Sequence, residues 1–294
     1  MESKPSFPRY SRRRLLKIGG GLSLTTGLGG YIRYRSDRTY PDQDADGIPD
    51  SVKRSESMQR TLASTFGEQF EGLRVGRRDL LLDVRYVGDV SVPLQVKHAI
   101  RRRLRNNGIH LQWLDHPKHY PQDWFEREYG NNARMLLWGR DSFYRQEIEE
   151  ELKDIALQLV MVPGAIDGPY KGRIYSPWAD LAGTHSNGYI NGMNFGNRAV
   201  AAKRQEPWEQ TRLIFHEVAH LALCHDSDPD NRGVMGTNET LTLTDEEWER
   251  LRSNLDNVRD TTGYDLLART CLWFDDPGTP GIADTPQTCP TCVD

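Results

Sequence analysis

This chain of 294 residues contains a pair of histidines four positions apart, His216 and His220, with Glu217 directly after the first. Side chains at positions i and i+4 of an α-helix project from the same face. If this segment is helical, both imidazoles can therefore reach one ion at about 2 Å. Apolar residues recur with helical spacing around the pair, which predicts a helix buried along one side: Ile214, Val218 and Leu221.

This spacing is the HExxH arrangement of zinc metallopeptidases. Zinc lowers the pKa of a bound water toward about 7, and a neighbouring carboxylate can accept the proton as the water attacks an amide carbonyl. We therefore predict that His216 and His220 bind zinc and that Glu217 is the general base of a peptide-bond hydrolase. The expected partner is a protein or peptide substrate.

The residues after this motif resemble the metzincin superfamily, whose pattern is HExxHxxGxxH followed by a turn that contains methionine. Residues 233–236 are Gly-Val-Met-Gly, so Met235 is the candidate for that Met-turn. The chain departs from the pattern at Leu223, where the family has a glycine that bends the chain out of the helix. The resemblance implies an α+β, zincin-like domain with a twisted mixed sheet, an active-site helix and the Met-turn.

Catalytic zinc usually has three protein ligands and one water, so one ligand must follow the histidine pair. Asp226 occupies the position of the third histidine, and resemblance to snapalysin-like members implies that an aspartate can serve there. If the bend has lost one residue, His225 takes the role instead, as the likeness to matrixin-like members implies. A different zincin plan would use a downstream glutamate, Glu239.

The residues before the motif alternate between strand-like and helix-like patterns, which is typical of one α+β domain over residues 75–260. We expect strands at residues 80–87, 109–114, 135–138 and 160–162, and helices at 96–104 and 146–159. The metzincin resemblance implies an edge strand near residues 188–193 that binds extended peptide beside the metal. Thr244 and Glu247 have the spacing of a capping box, which predicts that a further helix starts there.

The N-terminal segment resembles a twin-arginine export signal. Arg12, Arg13 and Arg14 precede a short run rich in glycine and weakly apolar, so we assign residues 1–38 to such a signal. The expectation is an extracellular or cell-surface protein, held at the membrane only if the signal stays uncleaved. Residues 1–38 hold nine Lys or Arg and two Asp or Glu, so the rest carries 29 basic and 40 acidic side chains. This acidity argues against nucleic acid as a partner and resembles proteins of halophilic archaea.

An acidic segment follows the signal. Asp42, Asp44, Asp46 and Asp50 alternate around Gly47, and oxygen ligands at this spacing suit calcium. An EF-hand would have glutamate at the twelfth position, where this chain has Lys53, so the run resembles thrombospondin type 3 or dockerin loops more closely. We assign residues 39–74 to an acidic linker, with a calcium loop and a solvated linker as alternatives.

Residues 261–294 form a tail with three of the four cysteines, and in an exported protein disulfides are expected. Cys271 with Cys289 or Cys292 is the leading pair. The alternative function is a non-catalytic cell-surface adhesion module that binds calcium and zinc. It predicts a closed structural zinc site, formed for example by His216, His220, Cys224 and His225.

Overall fold

The structure is a computed structural model. It describes residues 41–130, 136, 141–164, 166–167, 189–190, 192–195, 197–223, 230–236, 240–253 and 255. Within these residues, no helix is long and apolar enough to cross a membrane.

A five-stranded mixed sheet forms the centre of the domain. Its strands are β1 (Asp79–Val87), β2 (His110–Tyr120), β3 (Ala156–Val162), β6 (Gly192–Phe195) and β7 (Arg198–Ala202). Their order is β2-β1-β3-β7-β6, in which the first four strands are parallel and β6 is antiparallel to β7. Two short strands, β4 (Ile166–Asp167) and β5 (Tyr189–Ile190), pair with each other in a separate antiparallel ladder. Strand β6 is therefore the edge of the main sheet on the side of β7.

Two helices pack on one face of this sheet: α3 (Leu94–Asn106) and α7 (Pro207–Ala219). Helix α3 is the crossover between the parallel strands β1 and β2, and α7 follows β7, the last strand described. Alternate residues of the strands face these helices and are buried with them in one apolar core, which includes Leu82, Val84, Leu159, Ala201 and Val218. Because His216 lies in the last turn of α7, this packing fixes its position relative to the sheet.

The remaining helices are short. They are α1 (Asp50–Lys53), α2 (Glu56–Phe66), α4 (Gln122–Tyr129), α5 (Phe143–Glu147), α6 (Glu150–Lys153) and α8 (Asp245–Ser253), with a 3-10 turn at Gly67–Gln69. Helix α2 contacts β2 and α6 contacts β3. Met58, Leu62 and Phe66 of α2 are buried, so residues that we assigned to a linker contribute to the core.

The sheet also carries a buried ionic cluster between its strands and α6. Arg85 Nε donates to Asp83 at 2.9 Å, and both side chains are fully buried. Arg85 also pairs with Glu149, which lies just before α6. Burial raises the pKa of Asp83, and the charge of Arg85 opposes that rise. The charges are paired within the protein, as buried charges must be.

Most of the predicted elements are confirmed. The strand at 80–87, the helix at 96–104 and the strand at 109–114 match β1, α3 and the first half of β2. The mixed sheet is confirmed as well, with four parallel strands. The helix predicted over 146–159 is wrong in its second half, because Ala156–Val162 is strand β3. Every residue of β3 is buried, and a strand covered on both faces shows no alternation by which sequence could separate it from a buried helix.

Candidate metal centre

Helix α7 begins at Pro207, a residue that suits the first turn because its missing N–H would have no helical partner there. It ends at Ala219, and His220 is the residue that caps it. In the part of the chain that the structure describes, Ala45 is the sole non-glycine residue with positive φ, so Leu223 is not in the left-handed conformation. The helix thus stops before the position where the metzincin pattern has its glycine.

The rings of His216 and His220 lie edge to face, with centroids 4.5 Å apart and planes at 88°. The Nδ1 atom of His216 is 2.7 Å from the carbonyl oxygen of Val234, and Nδ1 of His220 is 3.0 Å from that of Leu223. A carbonyl oxygen can only accept, so each Nδ1 carries a proton and donates it. In the neutral imidazole this leaves the lone pair on Nε2 of both rings.

Those two Nε2 atoms lie 2.9 Å apart. Two lone pairs at this distance repel each other unless a cation or a proton lies between them. Zinc at about 2.0–2.1 Å from each nitrogen, in tetrahedral geometry, needs them roughly 3.3 Å apart, which a shift of a few tenths of an ångström provides. The pair, with its protons fixed on Nδ1, therefore fits a zinc ion.

A turn over residues 233–236 lies against His216. The N–H of Gly236 donates to the carbonyl of Gly233 at 3.1 Å, and Val234 between them supplies the carbonyl that fixes His216. Met235, the predicted Met-turn residue, is fully buried in the same core as α7. A β-carbon on Gly236 would clash with the main-chain carbonyl of Asn231, so only glycine fits there.

Hydrogen bonds connect residues 233–236 to helix α8, and the sequence did not predict them. Asn231 accepts from the N–H of Gly233 at 2.8 Å and donates to Glu247 at 3.2 Å. Glu247 also closes the predicted capping box, since it accepts from the N–H of Thr244 at 2.6 Å and its own N–H donates to the Thr244 hydroxyl at 3.2 Å. The capping box was visible in the sequence, but its link to the turn through Asn231 was not, because that contact is set by the tertiary fold.

Glu217 is fully buried, and its main chain is bonded to the edge strand. The last four carbonyls of a helix lack helical partners. In α7 these are the carbonyls of residues 216–219, and each accepts a hydrogen bond. Asn194 of β6 donates its side-chain amide to the Glu217 carbonyl at 3.1 Å. The carbonyls of His216, Val218 and Ala219 accept from residues of the turn that ends the helix: His220, Leu221, Ala222 and Leu223.

Several predicted site residues lie outside the described part of the chain. They include both candidates for the third ligand, His225 and Asp226, and the alternative Glu239. Cys224 and the cysteines of the tail lie outside it as well. The predicted edge strand at 188–193 overlaps β5 and the start of β6, and the observed edge is β6.

The four predicted calcium ligands lie close together in the structure. Asp42, Asp44 and Asp46 are in the loop before α1, and Asp50 is the first residue of α1. Carboxylate oxygens of Asp42, Asp44 and Asp50 are within 4.8 Å of one another. The ammonium of Lys53 enters the same loop, where it donates to Asp44 at 2.7 Å and to Asp46 at 2.5 Å. Asp46 also accepts from the main-chain N–H of Asp79, at 2.6 Å, so the loop is bonded to the start of β1.

No protein-family model matches the chain, and no curated protein matches it. Among solved structures, archaemetzincin from Methanopyrus kandleri is similar at 16% identity and a TM-score of 0.38, over 60% of this chain and 96% of that one. Archaemetzincin from Archaeoglobus fulgidus, complexed with malonate, is similar at 15% identity and a TM-score of 0.31, over 58% and 92%. A zinc-dependent peptidase from Methanocorpusculum labreanum is similar at 14% identity and a TM-score of 0.27, over 57% and 92%. All three TM-scores are below 0.5.

Proposed function

We propose that this protein is a zinc-dependent peptidase. The proposal is based on the orientation of the two imidazoles. A carbonyl oxygen accepts from Nδ1 of each ring, so the lone pairs of both Nε2 atoms point at each other, and the neighbouring Glu217 is buried. A hydrogen bond that fixes the tautomer of each ligand histidine is the usual support of a metal site. An ordinary pair of core histidines needs no such matched orientation.

Each residue of the site would have a distinct role in the hydrolysis of a peptide bond. His216 and His220 would hold the zinc, with His225 or Asp226 as the third ligand and Met235 beneath them. When bound, zinc would polarise the scissile carbonyl and lower the pKa of an attacking water. Glu217 would accept the proton of that water and return it to the nitrogen of the leaving amine. The edge of β6 offers main-chain groups with which an extended peptide could pair.

The substitution Glu217→Gln tests this assignment. It preserves the shape of the side chain but removes the base, so we expect unchanged zinc content and a fall in kcat of about 10²–10⁴-fold. Zinc is measured by mass spectrometry of the purified protein, and turnover on a peptide library. Glu209→Gln, on the same helix, is the matched control and should behave like wild type. Wild-type turnover by the Glu217 variant would refute the role of the base.

The third ligand is tested by His225→Ala and Asp226→Ala, made separately. We expect only one of them to lose zinc. A site closed by four protein ligands, with no cleavage of any library peptide by zinc-loaded wild type, would instead favour the non-catalytic adhesion module.

We also propose that the protein is exported by the twin-arginine route, on the basis of the arginines at positions 12–14. Replacing Arg12 and Arg13 together by lysine should retain the protein inside the cell, as measured by fractionation. Export of that variant at the wild-type level would contradict the proposal.

A further inference from the structure

The edge strand β6 approaches the catalytic helix most closely at Glu217. Two residues of β6, Gly192 and Asn194, are two positions apart and so lie on the same face of the sheet. Asn194 donates to the main-chain carbonyl of Glu217. Gly192 lies against the side chain of the same glutamate, because a β-carbon built on it would be under 3.0 Å from Glu217 Oε1 and 3.1 Å from Cδ.

We propose that Gly192 and Asn194 are the positioning residues of the general base. Gly192 leaves the space that the Glu217 carboxylate occupies, and Asn194 fixes the main chain from which that carboxylate extends. The inference rests on the proposed peptidase function and deepens it, since it assigns to the edge strand a second task beside substrate pairing.

A methyl group at Gly192 would displace the Glu217 side chain without disrupting the fold, because of the atoms that it would contact. The atoms that it would meet are Glu217 Oε1 and, at 2.8 Å, Leu213 Cδ1. Both are the far ends of flexible side chains, which can rotate away without any shift of main chain. Gly192 also pairs with Ala201 in regular antiparallel register, so an alanine keeps the strand. The expected result is a correctly folded protein with a displaced carboxylate.

The displacement matters because proton transfer requires a hydrogen-bond distance of about 2.6–3.2 Å between base and water. A misplacement of about 1 Å in a catalytic group can lower the rate about 100-fold. Glu217→Asp would move the carboxylate as well, but it changes the base itself. Gly192→Ala leaves the Glu217 side chain chemically unchanged and fills the space beside its carboxylate.

The experiment uses the full chain loaded with zinc and compares Gly192→Ala with Gly164→Ala. Gly164 is the matched control, because a β-carbon there meets nothing within 4 Å. For Gly192→Ala we expect one zinc per chain, a thermal midpoint close to that of wild type, and kcat reduced at least tenfold with little change in KM. The library peptide that wild type cleaves fastest is the substrate. Wild-type kcat in a folded, zinc-loaded Gly192→Ala protein would overturn the proposal.

Two further measurements separate positioning from a general structural effect. In a Glu217→Gln background, Gly192→Ala should lower the remaining activity no further, because there is no base left to misplace. Asn194→Asp keeps the shape of the side chain but cannot donate to the carbonyl, and we expect a smaller loss of kcat than for Gly192→Ala. Full additivity in the double variant would contradict a role through Glu217.

A readout without turnover keeps this inference separate from the peptidase proposal. Acetohydroxamic acid chelates zinc and donates its hydroxyl to a correctly placed carboxylate, so calorimetry should show weaker binding to Gly192→Ala than to wild type or Gly164→Ala. If wild type cleaves no peptide, the peptidase proposal fails while this comparison still holds. Equal affinities for all three proteins would overturn the positioning role.

Discussion

Two regions of the molecule gather groups that suit a cation, and they differ in where the positive charge comes from. In the loop around α1, the ammonium of Lys53 is fully buried and donates to Asp44, to Asp46 and, at 2.9 Å, to the carbonyl of Arg77. These three acceptors match the three N–H groups of an ammonium. At the end of α7, His216 and His220 donate their Nδ1 protons to carbonyls and direct the lone pairs of Nε2 at each other.

The spacing of donor residues in the sequence therefore does not show whether the cation of a site comes from outside the chain. Both segments have the ligand spacing of a metal site in the sequence. In the loop, a residue of the chain itself supplies a positive charge that pairs with two carboxylates. At the histidine pair, the charge of an added zinc ion would remove the repulsion between the lone pairs.

The largest effect is expected at the histidine pair. His220→Ala removes one of two converging ligands, so zinc should be lost and peptidase activity should fall to background. Metal analysis and the library assay measure both. His98→Ala, at an exposed position of α3, is the control and should retain zinc. Stoichiometric zinc in the His220 variant would show that the metal site lies elsewhere.

The loop should respond through stability, not activity. Lys53→Met leaves Asp44 and Asp46 buried without their cation, and breaking a buried ion pair in this way costs about 3–5 kcal/mol. The free energy of unfolding, measured in urea, should fall by that amount while zinc content stays at the wild-type level. Arg250→Met breaks a pair on the surface, and its effect should be small. An unchanged midpoint for Lys53→Met would mean that the ammonium is not the cation of the loop.

Calcium tests the loop more sharply, because the aspartate spacing predicted a calcium site. We expect the thermal midpoint of wild type to be the same in calcium and in a calcium chelator, since Lys53 already supplies the charge. Lys53→Glu places a carboxylate at the twelfth position, where EF-hands have their bidentate ligand. That variant should be unstable without calcium and should regain about 2.7 kcal/mol at a calcium concentration 100 times its dissociation constant. A clear midpoint rise for wild type in calcium would support the calcium loop predicted from the sequence.

The support of the histidine pair can be weakened without touching a ligand. Gly236→Ala would force a methyl group against the carbonyl of Asn231, which belongs to the main chain and cannot rotate away. Overpacking of this kind costs about 1–3 kcal/mol. Because the same turn carries the Val234 carbonyl, we also expect weaker zinc binding in competition with a chelator. Retention of both stability and zinc affinity would mean that the turn does not support His216.

The residues that could be predicted from sequence are those whose chemistry is local. The spacing of His216 and His220, the capping box at Thr244 and the strand β1 all depend on neighbours within a few positions. Contacts between distant segments could not be predicted, because no local pattern specifies them. Asn194 bonds to Glu217 across 23 positions, and Asn231 reaches Glu247 across 16.

Lys53 is a second example of a contact that the sequence does not predict. In the sequence it is a departure from the EF-hand pattern, and that pattern predicts no role for its side chain. The structure shows that it bonds to Asp44 and Asp46 and also to Arg77, 24 positions away. The third contact depends on how the loop packs on the start of β1. A departure from a motif can therefore be the residue that completes the site.

The smallest expected effect is the pH response of the loop. Burial alone lowers the pKa of Lys53, but its hydrogen bonds to Asp44 and Asp46 and their charges raise that pKa above the ordinary value of 10.5. A group with a raised pKa in the folded state contributes stability that is complete below its unfolded pKa. This contribution is lost as the pH rises above 10.5 and through the folded-state pKa. The urea midpoint of wild type should therefore fall toward that of Lys53→Met with rising alkalinity. A gap between the two proteins that stays constant up to strongly alkaline pH would show that the charge of Lys53 does not stabilise the loop.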